Sequence, residues 1–375
     1  MVAFFLMIIG LAGGAKQASA ARKDTLIVGL GELPPTIDIE RSTHPMSWLI
    51  VTNVGEQYLG FGRKPSDWDR GILILDYSKY DTRAVEKYEL SPDSTKLTFH
   101  LRRGVKSPSG NELTTKDFYW TMKRGLAMGG TTAYKFANLS MSKNMEESVQ
   151  VKDDYTITLV AREPTALFLI RHSFPSQIIY DSTEAKKHAT ASDPWAADYI
   201  SKNAPTFGPY YITKWTPGRE ALLEANPNYY KGVPYFKKVI LKVIPESSSR
   251  LAMIRDGTID VAYDLSPREI ISLKDAKGVK PINVRGVWLN HLVLNDLVVP
   301  ELKKKPVRQA VNYAINRKKI CEMAYYGMAE PMKFIFPSRF PGVLDLKEFP
   351  YDYDLKKAKE KLVEAGHPEG FETEI

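Results

Sequence analysis

Residue types that carry covalent chemistry occur in this 375-residue sequence, but their spacing matches no catalytic or metal-binding pattern. The sequence contains no Gly-x-Ser-x-Gly nucleophile motif, His-Glu-x-x-His zinc motif, P-loop or Gly-x-Gly-x-x-Gly fingerprint. No metal-spaced histidine pair occurs, so surface or hydrogen-bonded roles are expected for His44, His100, His172, His188, His291 and His367. The single cysteine, Cys321, excludes a disulfide framework and is expected in a core. No metal or cofactor is predicted.

Aromatic residues offer a different chemistry, the recognition of solutes by stacking. They make up 11% of the chain, including 20 Tyr and 6 Trp. Many will pack in cores, but such a composition also suits a protein that binds solutes. The sequence alone does not indicate which carboxylates meet in a cleft. The absence of catalytic motifs disfavours an enzyme without excluding one, so a hydrolase of peptides or glycans remains an alternative, as does a chaperone or adaptor that holds unfolded segments.

The charge of the chain raises the question of a nucleic-acid partner. The formal charge is +8 and the isoelectric point is about 9.1, yet Lys and Arg alternate with Asp and Glu along most of the sequence. The longest basic cluster is residues 303–305, and no basic motif interleaved with aromatic residues accompanies it. A solvated basic surface is therefore expected, with no nucleic acid bound. The length allows two or three domain cores, and the composition is that of a soluble globular protein.

The amino-terminal segment is typical of a secretory signal. Residues 2–11 form an apolar run that is too short to span a bilayer, and Ala18, Ser19 and Ala20 follow as a signal-peptidase site. Cleavage is predicted after Ala20. The positive charge expected before the run is missing, so we expect that the true start lies upstream or that the chain is clipped. No cysteine stands where a lipoprotein anchor needs one, which favours a soluble periplasmic protein.

Hydrophobic patterns predict a sheet with helices packed on it. Strands are predicted at residues 25–30, 96–101, 156–160, 239–244 and 259–262. A capping-box-like pair, Thr114 and Asp117, predicts the start of a helix, and Ser247 and Ser248 are predicted to cap another that ends at Gly257. This last helix lies between two strands, which makes a βαβ unit.

Two more helices are predicted near the carboxyl end of the sequence. Pro306 opens a helix whose apolar residues recur on one face. They are Val307, Ala310, Val311, Ala314 and Ile315. The last predicted helix begins at an Asp354 cap and ends at Gly366.

Three motif-bearing stretches follow one another along the chain. The first is residues 97–106 with Gly110, Leu113, Thr114 and Asp117; the second comprises residues 208–211, Trp215, 217–218, 226–232, Pro234, Gly257 and 259–260; the third is residues 307–315. Over about residues 25–370 their order and spacing resemble extracellular solute-binding protein family 5, the substrate-binding proteins of peptide, nickel and opine ABC importers. Three pairs depart from the family pattern and leave the ligand class open: Asp38-Ile39, Thr206-Phe207 and Pro300-Glu301.

The resemblance implies an α/β protein with a two-lobed, type II periplasmic binding protein-like fold and an extra domain inserted in the first lobe. The first lobe would take residues 24–57 and 173–265, the inserted domain 58–172, and the second lobe 266–375. In this family the chain returns to the first lobe beyond residue 375. The second lobe is therefore expected to be incomplete, and the carboxylate that holds a peptide's amino group would lie in the missing part.

The resemblance also implies a monomer that captures a peptide or other small solute between its lobes and delivers it to ABC transporter permease subunits, without catalysis. Ligand contacts are predicted at Glu32, Leu33, Phe207, Trp288 and His291. Residues 288–295 resemble a strand that presents alternate side chains to the groove, so at most one of Trp288 and His291 should face the solute. Peptide, opine, oligosaccharide and chelated metal all remain possible ligands.

Overall fold

A computed structural model describes residues 24–66, 72–174, 177–282, 289–332 and 350–373 of the chain. They pack as two compact units, the first comprising Met1–Ser266 with Asp275–Lys280 and the second comprising Pro267–Lys274 with Pro281–Ile375. The predicted signal segment, residues 1–20, lies outside the described residues.

The first unit contains all of the strands assigned in the described residues, and helices occur in both units. The strands are β1 (Thr25–Leu30), β2 (Leu59–Pro65), β3 (Leu73–Thr82), β4 (Val85–Leu90), β5 (Lys96–Leu101), β6 (Val149–Asp153), β7 (Thr156–Val160), β8 (Tyr210–Thr216), β9 (Glu220–Ala225), β10 (Lys238–Val243) and β11 (Val261–Ala262). The helices are α1 (Pro45–Val54), α2 (Thr115–Met128), α3 (Thr131–Asn138), α4 (Met145–Ser148), α5 (Phe168–His172), α6 (Ser182–Lys186), α7 (Ala197–Asn203), α8 (Ser247–Arg255), α9 (Pro267–Ser272), α10 (Lys305–Ala314), α11 (Arg317–Met323) and α12 (Leu355–Glu364), with a 3-10 helix at Pro300–Lys303. Among the described residues, none of these helices is long and apolar enough to cross a membrane.

A five-stranded sheet with the order β11-β1-β10-β9-β8 forms the base of the first unit. The apolar run of β1 is buried because parallel strands pair with it on both sides: Val28 lies opposite Leu241 of β10 and Val261 of β11. Strands β9 and β8 continue the sheet in antiparallel pairing. The predicted βαβ unit is therefore confirmed, with β1 lying between its two strands.

A second, four-stranded sheet has the order β4-β5-β7-β6, and β2 pairs with β3 in a separate ladder. Helix α2 begins as predicted. The Thr114 side chain accepts from the Lys116 amide at 3.3 Å, and Asp117 Oδ2 accepts from the Thr114 amide at 3.0 Å, which completes the capping box. Its carboxyl end is closed by Gly129 with a left-handed backbone.

Helix α2 belongs to two hydrophobic cores. Trp120 packs in the core of the five-stranded sheet, while Phe118 and Met122 pack in the core of the four-stranded sheet. On the same helix, the fully buried Arg124 donates from Nη1 to Asp38 Oδ1 at 3.0 Å. The Asp38 carboxylate therefore has a structural partner, and the helix holds the two cores together.

Helix α8 forms where it was predicted, but its cap is different. The N-cap position is Glu246, which makes no side-chain capping bond, so the prediction that Ser247 or Ser248 caps the helix is wrong. Gly257 does adopt the expected left-handed conformation, with φ of 76°.

The second unit has a small core, formed by Leu302, Val307 and Ala365. On α10, Val307 and Ala310 are buried as predicted, whereas Val311 and Ile315 are half-buried and Ala314 is exposed. The buried stripe is therefore narrower than predicted, since only Val307 and Ala310 are fully enclosed. Cys321, expected in a core, is partly exposed.

Two further features belong to the same unit. Arg308 of the third motif donates from Nη1 to the carbonyls of Leu302 at 2.7 Å and Lys303 at 2.8 Å, just before α10. The strand expected over residues 288–295 is not found: its described part, residues 289–295, has no regular secondary structure.

Candidate ligand-binding edge of the five-stranded sheet

Strands β11, β1 and β10 run in the same direction, so their carboxyl ends meet at one edge of the sheet. In open α/β sheets, ligands bind outside this edge. The segments that leave the three strands are residues 31–36 after β1, 244–247 after β10 and 263–266 after β11. We call this place the carboxyl edge.

Arg250 of α8 fixes the backbone of the carboxyl edge. Its side chain is buried and donates to four main-chain carbonyls. Nη1 donates to Ile244 at 2.6 Å and Pro245 at 2.8 Å, Nε donates to Tyr263 at 3.0 Å, and Nη2 donates to Asp264 at 2.8 Å. A single guanidinium thus joins the ends of β10 and β11 across β1.

The packing of this edge is close around Gly29 of β1. A Cβ atom on Gly29 would lie 2.7 Å from Ile259 Cδ1 and 3.2 Å from Ile244 Cδ1, which is closer than side chains tolerate. The aliphatic part of Arg250 lies beyond them, 3.7 Å from that position. Glycine therefore lets α8 and its arginine lie directly against the strand.

Glu32 presents a carboxylate at this edge and is paired with His44. The Glu32 side chain is 67% exposed, and its Oε1 lies 3.1 Å from His44 Nε2. His44 is also the N-cap of α1, where its Nδ1 accepts from the Met46 amide at 3.2 Å. Because Nδ1 is an acceptor, the ring proton of a neutral His44 must sit on Nε2, where it faces Glu32. Both ring nitrogens are engaged.

The other predicted ligand residues of the first unit are placed differently. Leu33 is half-buried and packs against the core of the five-stranded sheet. Phe207 is fully buried in the core of the four-stranded sheet. It is held there by its neighbours: the Thr206 hydroxyl donates to the Val54 carbonyl, and a Cβ on Gly208 would lie 2.2 Å from the same oxygen. In this structure Phe207 packs and presents no surface to a solute.

Of the remaining two predicted residues, one belongs to the described part of the second unit. His291 is exposed. Trp288 lies outside the described residues.

The structure also identifies residues that the sequence did not single out. His44 carried a weak signal, because it directly precedes Pro45 at the start of an apolar run. Arg250 carried none, since its partners are main-chain carbonyls that no sequence pattern identifies. Within the described ranges, no group of three His, Cys, Asp or Glu side chains could hold a metal ion.

The fold has clear counterparts among solved structures. The chain superposes on the ABC transporter-associated periplasmic binding protein DppA from Helicobacter pylori, solved with the peptide STSA, with a TM-score of 0.72, 26% identity and coverage of 92% of this chain and 67% of that one. The fold is that of the α/β, type II periplasmic binding proteins.

The family follows from the sequence match. The model of the bacterial extracellular solute-binding proteins, family 5 (Middle), matches residues 79–375, and the chain belongs to this family. The resemblance inferred from the three motif stretches is thereby confirmed.

Two characterised relatives illustrate the range of the family. Heme-binding protein A of Haemophilus influenzae is 29% identical over 305 residues, which cover 77% of this chain and 54% of that protein. The probable D,D-dipeptide-binding periplasmic protein DdpA of Escherichia coli is 24% identical over 341 residues, which cover 91% of this chain and 62% of that protein. The chain thus spans between half and two thirds of the length of these two relatives.

Proposed function

We propose that this protein is the periplasmic substrate-binding component of an ABC importer, which captures peptides or similarly sized solutes and delivers them to membrane permease subunits. Its membership of the solute-binding family carries the proposal. The carboxyl edge supports it, since a rigid backbone there displays an exposed carboxylate. Export with cleavage after Ala20, a monomeric state and capture by closure of two lobes are parts of the same proposal.

Peptides are the ligand class that we favour. Their amide and ammonium groups are hydrogen-bond donors, and the Glu32 carboxylate is an acceptor that remains open to solvent. The names of two related proteins point to the same chemistry, a dipeptide in one and the peptide STSA in the other.

A binding role without catalysis is also supported by the geometry of His44. A general base needs a ring nitrogen within reach of a nucleophile. Here Nδ1 is occupied by the Met46 amide and Nε2 faces Glu32. The pair therefore orients the carboxylate and the first turn of α1, and we propose no hydrolysis at this edge.

The test is calorimetric titration of short peptides into the protein in its full natural length, with mass spectrometry of any solute that co-purifies. Glu32→Gln should weaken peptide binding at least tenfold, because one hydrogen bond to a charged group contributes about 1.5–3 kcal/mol. Glu147→Gln is the matched control, as it removes an exposed carboxylate that pairs with Arg162 at 3.1 Å.

Two outcomes would contradict the proposal. Equal affinities of the Glu32 and Glu147 variants would remove the carboxyl edge from the site. Release of peptide fragments by the purified protein would favour the hydrolase alternative.

A further inference from the structure

A cluster of basic and aromatic residues lies at the edge of the sheet opposite to the carboxyl edge. Strand β9 runs antiparallel to β10, so the segment that follows it, residues 226–237, leaves the sheet at this opposite edge. Tyr230 and Lys231 of this segment meet Arg83 and Arg102, which lie next to strands β4 and β5. We call these four residues the basic cluster.

The aromatic ring of Tyr230 is the centre of the basic cluster. The guanidinium carbon of Arg102 and the ammonium of Lys231 each lie 5.4 Å from the centroid of this ring. Arg102 is joined to Arg83 directly, since its Nε donates to the Arg83 carbonyl at 3.3 Å. The Arg83 side chain fits beside Gly60, where a Cβ atom would lie 2.5 Å from Arg83 Nε.

The nearby carboxylates only partly balance these cations. Asp81 Oδ2 lies 3.8 Å from Arg83 Nε, too far for a hydrogen bond, and Glu86 Oε1 lies 3.6 Å from Arg102 Nη1; the carboxylates of both pairs are exposed to solvent. Glu56 is buried and accepts from the Tyr229 hydroxyl at 2.9 Å. Among the described residues Lys231 forms no ion pair. Burial lowers the pKa of its ammonium group. Repulsion from Arg83 and Arg102 lowers this pKa further, while attraction to Glu56 and Asp81 raises it.

Two hydrogen-bond donors of the cluster lack an acceptor. Arg83 Nε and the Tyr230 hydroxyl are both shielded from solvent, and neither has a hydrogen-bond partner within the part of the chain that the structure describes. Shielded polar groups are normally satisfied, and leaving them unpaired is costly. A dianionic oxyanion presents several lone pairs and a charge that suits guanidinium groups.

We propose that the basic cluster is a binding site for a tetrahedral dianionic oxyanion, phosphate or sulfate. Arg83 Nε and the Tyr230 hydroxyl donate to the ion, and the charges of Arg102 and Lys231 hold it. Because both donors are shielded from solvent, binding requires the Lys231 side chain, which is exposed in part and packs on the Tyr230 ring, to move aside. A bound ion would connect the segment 226–237 with the residues next to β4 and β5. This proposal is independent of the proposed transport function.

The first measurement is the melting temperature of the full natural-length protein during titration with sodium sulfate or sodium phosphate, with sodium chloride keeping the ionic strength constant. Specific binding gives a saturable rise that follows RT ln(1 + [L]/Kd), roughly 1–3 °C at ten times Kd for a protein of this size. The general stabilising effect of sulfate does not saturate. Acetate at the same charge concentration should give at most a small rise, which separates the oxyanion from a carboxylate ligand.

Two variants locate the site. Tyr230→Phe removes a hydroxyl that has no partner, so the anion-free protein should melt at or above the wild-type temperature, while the saturable rise should disappear. Arg83→Gln should also abolish the rise. Arg162→Gln, which removes an exposed arginine paired with Glu147, should keep it.

The proposal is overturned if the wild-type protein shows no saturable rise, which would mean that water satisfies the two donors. It is equally overturned if the Tyr230 and Arg83 variants respond to sulfate and phosphate as the wild type does.

Discussion

The role of Arg250 can be tested by removing its guanidinium. Arg250→Met deletes four hydrogen bonds, but the carbonyls of Pro245 and Asp264 belong to exposed residues, where water can replace the lost donor. The carbonyls of Ile244 and Tyr263 belong to buried and half-buried residues. A hydrogen bond to a charged donor contributes about 1.5–3 kcal/mol. Loss of the two bonds to Ile244 and Tyr263 should therefore lower the free energy of unfolding by about 3–6 kcal/mol.

Urea unfolding followed by circular dichroism measures this loss, and Arg219→Met is the matched control because Arg219 is exposed at the same edge of the sheet. The control should change stability by less than about 0.5 kcal/mol. Hydrogen exchange adds a local readout: the Tyr263 amide, which donates to the Gly29 carbonyl at 2.9 Å, should exchange faster in Arg250→Met. If Arg250→Met and Arg219→Met unfold within about 1 kcal/mol of each other, the guanidinium does not hold the carboxyl edge together.

Three further predictions concern buried groups elsewhere. Val307→Asp should lower the free energy of unfolding by at least about 3 kcal/mol because it buries an unpaired carboxylate. Lys318→Asp, at an exposed site, should lower it only slightly. Equal melting temperatures of the two variants would contradict the assigned core. Arg124→Met should lower the free energy of unfolding by about 3–5 kcal/mol because it leaves Asp38 buried without its partner. In thermal melts, the double variant that also carries Asp38→Asn should recover part of this loss of stability. Burial lowers the pKa of Lys135 to about 7, so above that pH the folded state binds fewer protons than the unfolded state. The free energy of unfolding of the wild type should therefore rise from pH 7 towards pH 10. In urea titrations at several pH values, Lys135→Met should lose that slope.

Local signals predicted some of the elements of this fold. The start of α2 was predictable because Thr114 and Asp117 complete a capping box with their own neighbours, at a separation of three residues. Strands β1 and β10 were predictable from apolar runs ended by glycine or proline. In these cases the residues that carry the sequence signal lie within one turn or one strand, even though β1 and β10 pair with strands that are distant in sequence.

Burial on α10 was predicted only in part. The periodicity identified the apolar face correctly, but it does not indicate how wide a surface the partner helix covers. Val307 and Ala310 are buried, while Ala314 on the same face is exposed. Burial depends on tertiary packing as well as on the pattern.

The candidate site was least predictable because its contacts join separate elements and follow no repeating pattern in the sequence. Glu32 reaches His44 only after the chain turns into α1, and Arg250 binds carbonyls that precede and follow its own helix. Phe207 looked available because it departs from the family pattern, yet its neighbours hold it in a core. The ligand contacts of Glu32, Leu33, Trp288 and His291 stay predictions.

The position of β1 has a consequence for how the chain is made. This strand pairs with β10 and β11, whose residues follow it by more than 200 positions. At the usual rate of synthesis, of about 5–20 residues per second, Ala262 emerges roughly 10–50 s after Thr25. The four-stranded sheet and the hairpin of β8 and β9 can form in that interval, but the apolar β1 must wait without either neighbour. We therefore expect newly made chains to be prone to aggregation and accessible to chaperones until residue 262 has emerged.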